Sequence, residues 1–250
     1  MRLFFLVLAR DERYVDKKIE ELKSLGVPYL IVCGKRLNHP NVVYREPKGK
    51  YDAINFGFRF IPEDIDVVAL NDVDTKIGNF EAALKLFDSK DIALVFAKVL
   101  AEEGPQNLFL NMLRKLRRKL PIAASGDLML IRYEVLKRAL PIKRCKAEDS
   151  YLLFKVLELK YRVADCIDCY VKGKKTKTMV EEEDYKRRTV CGIYQALHYT
   201  KPPILIKLFY VLLPLACPLL LVLGTKGYFW MRGILLGLTD YLRGDRSGTW

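Results

Sequence analysis

The chain has 250 residues, with 43 Lys and Arg against 30 Asp and Glu and a formal charge of +13. Such an excess suits a polyanionic partner: nucleic acid, an anionic membrane face or phosphorylated substrates. Six cysteines form no disulfide-like framework, and Cys166-x-x-Cys169 has no second pair to complete a zinc site; reduced thiols in the cytoplasm are expected.

Met1–Ala9 opens with an apolar stretch, but Arg10-Asp11-Glu12-Arg13 follows where a signal peptide needs small residues for cleavage. Leu3–Ala9 is therefore expected to be a buried first strand. Val15, Ile19, Leu22 and Leu25 recur at spacings of four, three and three, one face of a helix closed by Gly26. Strands are expected at Tyr29–Cys33, Val42–Tyr44 and Val67–Leu70, and helices at Asp52–Phe60, Phe80–Ser89 and Asn107–Lys119. Ile92–Val99 and Leu128–Arg132 return to β, Asp149–Leu159 to helix, and Tyr161–Cys166 to β. Strands interleaved with helices predict an α/β fold, a mostly parallel sheet flanked by helices, spanning residues 1–200.

Composition changes at Lys201-Pro202-Pro203. Pro203–Leu223 carries one charge in 21 residues, Lys207, and is long enough to reach across the roughly 30 Å hydrocarbon core of a bilayer. Pro214 and Pro218 would kink it. Tyr228–Leu242 is shorter and carries Arg232 and Asp240, the pattern of an interfacial or re-entrant segment. Residues 201–250 are thus expected to form a hydrophobic helical hairpin in contact with a membrane; the alternative is a buried hairpin closing the domain.

The chemistry concentrates at the end of the Val67–Leu70 strand, in Asn71-Asp72-Val73-Asp74. An apolar strand ending in Asp-x-Asp sets two carboxylates at the mouth of a sheet, where ligands of α/β sheets bind. Hard oxygen donors there suit Mn²⁺ or Mg²⁺ shared with the phosphates of a nucleotide. A second acidic pair, Glu148-Asp149, opens a helix further along. The helix macrodipole is expected to keep Asp149 ionised and able to accept a proton.

Five stations in order resemble the family 2 glycosyltransferases, inverting sugar transferases of the GT-A fold. They are Leu6-Val7-Leu8-Ala9-Arg10-Asp11-Glu12, Gly49-Lys50-Tyr51-Asp52-Ala53-Ile54-Asn55-Phe56-Gly57, Asp72-Val73-Asp74, Ser125-Gly126-Asp127-Leu128-Met129-Leu130-Ile131-Arg132, and Ala147-Glu148-Asp149-Ser150. The resemblance implies that Ala9, Arg10, Glu12, Lys50, Asn55, Asp72 and Arg188 meet the nucleotide-sugar donor, with Asp72 and Asp74 on the metal. It implies that Gly126, Asp127 and Glu148 border the acceptor and that Asp149 is the base.

The chain also departs from the family. Where polymerising members often carry Gln-x-x-Arg-Trp, the matching stretch is Tyr185-Lys186-Arg187-Arg188-Thr189, which argues against a processive synthase. The second strand ends in Cys33-Gly34-Lys35 rather than an Asp-rich turn, leaving the nucleotide base open.

The expectation is a metal-dependent transferase at the cytoplasmic face of the membrane, acting on a hydroxyl or phosphate acceptor that is lipid-linked. Two other readings compete. A sugar-phosphate nucleotidyltransferase should carry a Gly-rich basic loop after strand one, and Ala9-Arg10-Asp11-Glu12 is acidic and lacks glycine. A nucleic-acid-binding protein should interleave aromatics with its basic runs, and these are mostly flanked by aliphatics; no nucleic acid is expected.

Overall fold

Seven consecutive apolar residues form β1 (Leu3–Ala9), which is buried along its whole length because both faces of its sheet are covered. The pleat sends Phe4, Leu6 and Leu8 into one core and Phe5, Val7 and Ala9 into the other. The structure, a computed structural model, describes residues 1–101, 112, 114–117, 120–173 and 176–245.

After β1 come α1 (Val15–Ser24), β2 (Tyr29–Cys33), β3 (Val42–Tyr44), α2 (Lys50–Gly57), β4 (Val67–Asp72), β5 (Lys76–Gly78) and α3 (Phe80–Lys85). Then follow β6 (Ile92–Ala101), β7 (Leu128–Arg132), α4 (Tyr133–Ala139), α5 (Glu148–Glu158), β8 (Arg162–Gly173) and α6 (Met179–Tyr199). Two more helices close the described chain, α7 (Ile204–Ala216) and α8 (Thr225–Leu242), joined by a 3-10 stretch over Cys217–Leu223.

The described strands form one sheet in the order β3-β2-β1-β4-β7-β6-β8-β5. Four of its seven pairings are parallel; β7 runs antiparallel to both β4 and β6, and β5 antiparallel to β8. The parallel half, β3-β2-β1-β4, therefore brings the carboxyl ends of β1, β2 and β4 to one edge.

Most expected elements stand where the periodicity puts them, and the differences have local causes. The helix expected at Asp52–Phe60 begins at Lys50 and tightens to a 3-10 turn over Phe58–Phe60. Gly49 precedes it with φ of 128°, a conformation that an L side chain rarely adopts. The strand expected at Tyr161–Cys166 continues to Gly173. Ala97 pairs with Cys166 and Lys98 with Tyr170, so Ile167–Cys169 bulges out. The two thiols of Cys166-x-x-Cys169 are buried at that bulge and free. Most of the helix expected at Asn107–Lys119 lies outside the described residues; Met112 and Arg114–Arg117 are helical.

Three described elements, β5, α4 and α6, were not expected from periodicity. The three residues of β5 pair with β8, the Ile77 N–H donates to the Glu21 carboxylate at 2.6 Å, and Ile77 enters the core, all contacts between distant parts of the chain. The start of α6 is a capping box: the Thr178 side chain accepts from the Glu181 N–H, and the Glu181 carboxylate accepts from the Thr178 N–H.

The helices beyond Lys201 are part of the same body. Ile206 and Tyr210 of α7 lie in the core that also holds Phe154 and Ile122, and Tyr210 donates to the Ile122 carbonyl at 2.5 Å. On α8, Gly233 and Gly237 let the helix approach α6 so closely that an added Cβ would sit 2.7 Å from the Glu183 carbonyl oxygen and 2.5 Å from that of Arg187.

Candidate active site

Four elements converge at the carboxyl edge of the sheet. Asp72 ends β4, and its N–H donates to the Asp127 carbonyl at 3.2 Å, which ties the Asp-x-Asp turn to the segment before β7. From the start of α2, Lys50 donates to Asp72 Oδ2 at 2.5 Å and lies 3.9 Å from Glu148 Oε1 at the start of α5. Gly126 faces Asp149: an added Cβ would sit 3.3 Å from both the Asp149 Cβ and Oδ2. Lys50, Asp72, Gly126, Asp127, Glu148 and Asp149, named from four separate stations, form one cluster.

The turn itself is held from beneath by a residue that the motifs did not single out. Lys18 of α1 is buried and donates to Asn71 Oδ1 at 2.9 Å and to the Thr75 carbonyl, while pairing with Glu21 at 2.7 Å. Asn71 in turn donates to Thr75 Oγ1 at 2.8 Å and to the Asp127 carbonyl at 2.7 Å. A signal was present in the sequence: Lys18 stands on the helix face otherwise made of Val15, Ile19 and Leu22, where a lysine is out of place without buried partners.

Burial sets the electrostatics. It would lower the Lys50 ammonium, yet Asp72 and Glu148 beside it hold that group above its ordinary value. Burial pushes the Asp72 carboxyl up, opposed by Lys50. Glu148 is pushed up to about 7, again by burial, with Lys50 opposing and Asp149 adding to the rise.

The expectation for Asp149 needs correcting in one respect. It does open a helix, and its Oδ1 accepts the Ser150 N–H at 2.7 Å. Burial nevertheless outweighs that hydrogen bond and Lys50, so its carboxyl lies above the ordinary range rather than being held down. A carboxylate whose proton affinity is raised in this way is better suited to accept a proton than an ordinary exposed one.

The remaining expected residues lie around or away from this cluster. The Ala9 carbonyl accepts the Gly34 N–H at 2.9 Å, closing the β1 and β2 ends together. Arg10 is exposed beside it, and Glu12 accepts from Lys35 at 2.6 Å. Asp74 is exposed at the tip of the turn. Asn55 faces elsewhere: its amide donates to the Ile142 carbonyl at 2.9 Å and accepts the Ile142 N–H at 2.8 Å. That pair fastens α2 to the loop before α5. Arg188 is exposed on α6 with its guanidinium 5.6 Å from the centre of the Tyr185 ring, and has no ion pair to the cluster among the described residues.

The donor set can be tested against a divalent cation. Asp72 Oδ1 is buried and has no hydrogen-bond partner among the described residues, the condition of an oxygen that a cation would satisfy. Asp74 offers a second carboxylate two positions on. Among the described residues no group of three or more His, Cys, Asp or Glu gathers as a closed metal site. The arrangement fits an open, oxygen-rich site completed by ligand phosphates and water.

No family model and no curated protein matches this chain. Solved structures do. A mannosyltransferase from Pyrobaculum calidifontis, in complex with GDP-Man and Mn²⁺, is similar over 98% of this chain and 88% of its own, with TM-score 0.71 at 16% identity. The fold is the GT-A fold. TarS from S. aureus, residues 1–349, matches over 98% of this chain and 92% of its own, with TM-score 0.55 at 13% identity. Glucosyl-3-phosphoglycerate synthase from M. tuberculosis matches over 78% and 80%, with TM-score 0.50 at 16% identity. At these identities the likeness is one of fold. Within a GT-A fold, the edge carrying Asp72, Glu148 and Asp149 is the carboxyl edge of the parallel strands.

Proposed function

We propose that this chain is a membrane-associated, metal-dependent glycosyltransferase. It moves one sugar from a nucleotide-diphosphate donor to a hydroxyl or phosphate acceptor, with inversion at the anomeric carbon. The observation that carries the reading is the part-buried Lys50–Asp72–Glu148 contact beside Asp149, in a site whose Asp72 Oδ1 lacks a partner among the described residues. The Mn²⁺ and GDP-Man in the structure of the similar mannosyltransferase support the choice of metal and donor class.

Asp72 and Asp74 would hold Mn²⁺ or Mg²⁺, which would neutralise the diphosphate as it departs. Lys50, already among carboxylates, is placed to turn its ammonium toward the incoming phosphates. The acceptor oxygen forms a bond to the anomeric carbon as the bond to the diphosphate breaks, and Asp149 takes the acceptor's proton. Gly126, with no side chain, leaves room for the acceptor beside Asp149. Glu148, with its raised proton affinity, stays partly protonated near neutral pH and limits the negative charge next to the base. Ala9, Arg10 and Glu12 form the rim on which the base of the nucleotide would lie.

A lipid-linked acceptor fits a catalytic edge joined to apolar helices, and the positive charge before Pro203 favours the cytoplasmic face, where nucleotide-sugars are made. The test is a panel of nucleotide-sugars with Mn²⁺ or Mg²⁺, read by thermal stabilisation and by release of nucleoside diphosphate. Stabilisation by one metal–donor pair is expected; indifference to the whole panel would overturn the reading.

A further inference from the structure

The run Ile204–Leu223 is long and apolar enough to cross a membrane. At the rises of an α-helix and a 3-10 helix its 13 and 7 residues would cover about 34 Å. Yet it is attached to the protein along one side. Ile206, Tyr210 and Cys217 are buried, and Leu213 and Leu220 pack against the buried clusters. These five recur at spacings of four, three, four and three, a continuous helical stripe facing the domain. Tyr210 is fixed by its hydrogen bond to the Ile122 carbonyl, and its own carbonyl accepts from the Tyr194 hydroxyl at 2.7 Å.

The opposite side is bare and apolar. Ile204, Leu205, Leu208, Val211, Leu215 and Val222 are exposed, with Leu215 at 78% and Val222 at 85%. Contiguous exposure of this kind marks a surface that something covers. Charge identifies the cover. Between Asp184 and Asp240 the chain has no acidic residue, while Lys186, Arg187, Arg188, Lys201, Lys207, Lys226 and Arg232 are cationic. Lys186 pairs with Glu182 and Arg187 with Asp240, but Lys201 and Lys226 are exposed at the two ends of the apolar run. An apolar face flanked by cations at both ends matches an anionic lipid leaflet.

We infer that Ile204–Leu223 lies flat in the surface of an anionic membrane, with its outer face among the acyl chains, and does not cross it. Crossing would require stripping Ile206, Tyr210 and Cys217 from the domain; lying flat keeps every one of those contacts. The inference refines the membrane part of the reading above and is independent of the transfer reaction.

The test compares two variants of the full chain that each add one cysteine to the native six, Lys90→Cys on the sheet domain and Lys226→Cys just past the apolar run, both at exposed positions. The six native cysteines are free and buried, so a membrane-impermeant maleimide reads the introduced thiols. In sealed, uniformly oriented membrane vesicles, both positions should be labelled from the same side. Labelling from opposite sides would show a spanning helix, overturning the flat geometry while leaving membrane association in place. Absence of the chain from the membrane fraction would overturn both.

Flotation of the purified chain supplies the second arm, with vesicles of phosphatidylcholine alone or mixed with phosphatidylglycerol. Binding should favour the anionic vesicles, weaken with salt, and fall about tenfold or more for Leu215→Gln with Val222→Gln. A soluble dimer that those substitutions disperse would instead make a second copy of the chain the occupant, and would also overturn the proposal.

Discussion

Asp72 and Asp74, two positions apart, stand in very different surroundings. Asp72 is held by Lys50 and ends a buried strand, whereas Asp74 is exposed at the turn. Asp74→Ala should therefore leave the fold intact and abolish Mn²⁺-dependent binding of a nucleoside diphosphate, as measured by calorimetric titration. Metal-dependent affinity in the variant equal to that of the parent chain would remove Asp74 from the metal. Asp149 is different in kind, because its part in the proposed reaction is to accept a proton. Asp149→Asn preserves shape and should bind donor normally while transfer falls by roughly 10²–10⁴-fold. Near-normal turnover in a direct transfer assay would move the base to Glu148 or Asp127.

Among the elements, α6 decides where the acidic end of α5 sits. A Cβ on Gly192 would lie 2.5 Å from the Ala147 N and 2.8 Å from the Ala147 Cβ, immediately before Glu148. The Lys146 N–H donates to the Gln195 side chain at 2.7 Å one turn further along the same helix. Gly192→Val should cost about 1–3 kcal/mol by overpacking and should also weaken donor binding, because the displaced backbone leads directly into Glu148 and Asp149. Urea unfolding and titration with donor measure the two effects separately. Loss of stability with unchanged donor affinity would mean that α5 tolerates the shift. The capping box at Thr178 is the sequence signal for this helix, and it is independent of the hydrophobic period that finds the others.

For the whole molecule, the desolvated carboxylates of the cluster predict a pH dependence. Asp72, Glu148 and Asp149 all bind protons more readily in the folded chain than when exposed by unfolding. Between the ordinary carboxylate range and about 7, the folded state thus carries more protons than the unfolded one, and stability falls as pH rises. Metal-free protein should melt at a lower temperature at pH 7.5 than at pH 5.5, and Glu148→Gln should flatten that slope. A melting temperature that rises over this interval in the parent chain would contradict the burial described here. Near pH 3 the trend reverses, since Asp11 and Asp240, held low by Arg13 and Arg187, lose those partners on protonation. Removal of everything after Lys201 should do more than detach the chain from a membrane. It uncovers the core around Phe154 and Ile122 that Ile206 and Tyr210 fill, so aggregation of the truncated chain is expected on size exclusion.

Much of this organisation was legible in the order of residues. Strands such as Leu3–Ala9 and Val67–Asp72 are long β-branched or apolar runs whose burial is a property of their composition, and Asp-x-Asp at a strand end sets two carboxylates near each other by its spacing alone. The candidate residues Lys50, Asp72, Gly126, Glu148 and Asp149 could be named for the same reason: each stands in a short local pattern. Tertiary structure decided what those patterns could not carry. Asn55 faces Ile142 instead of the cluster, Lys18 braces the Asp-x-Asp turn, and desolvation reverses the direction expected for Asp149. It also joined the last helices to the sheet domain, through a stripe from Ile206 to Leu220 whose partners lie far away in the chain. Hydrophobic periodicity shows that a face will be buried; only the packed fold determines against what, because burial depends on neighbours that sequence separation does not record.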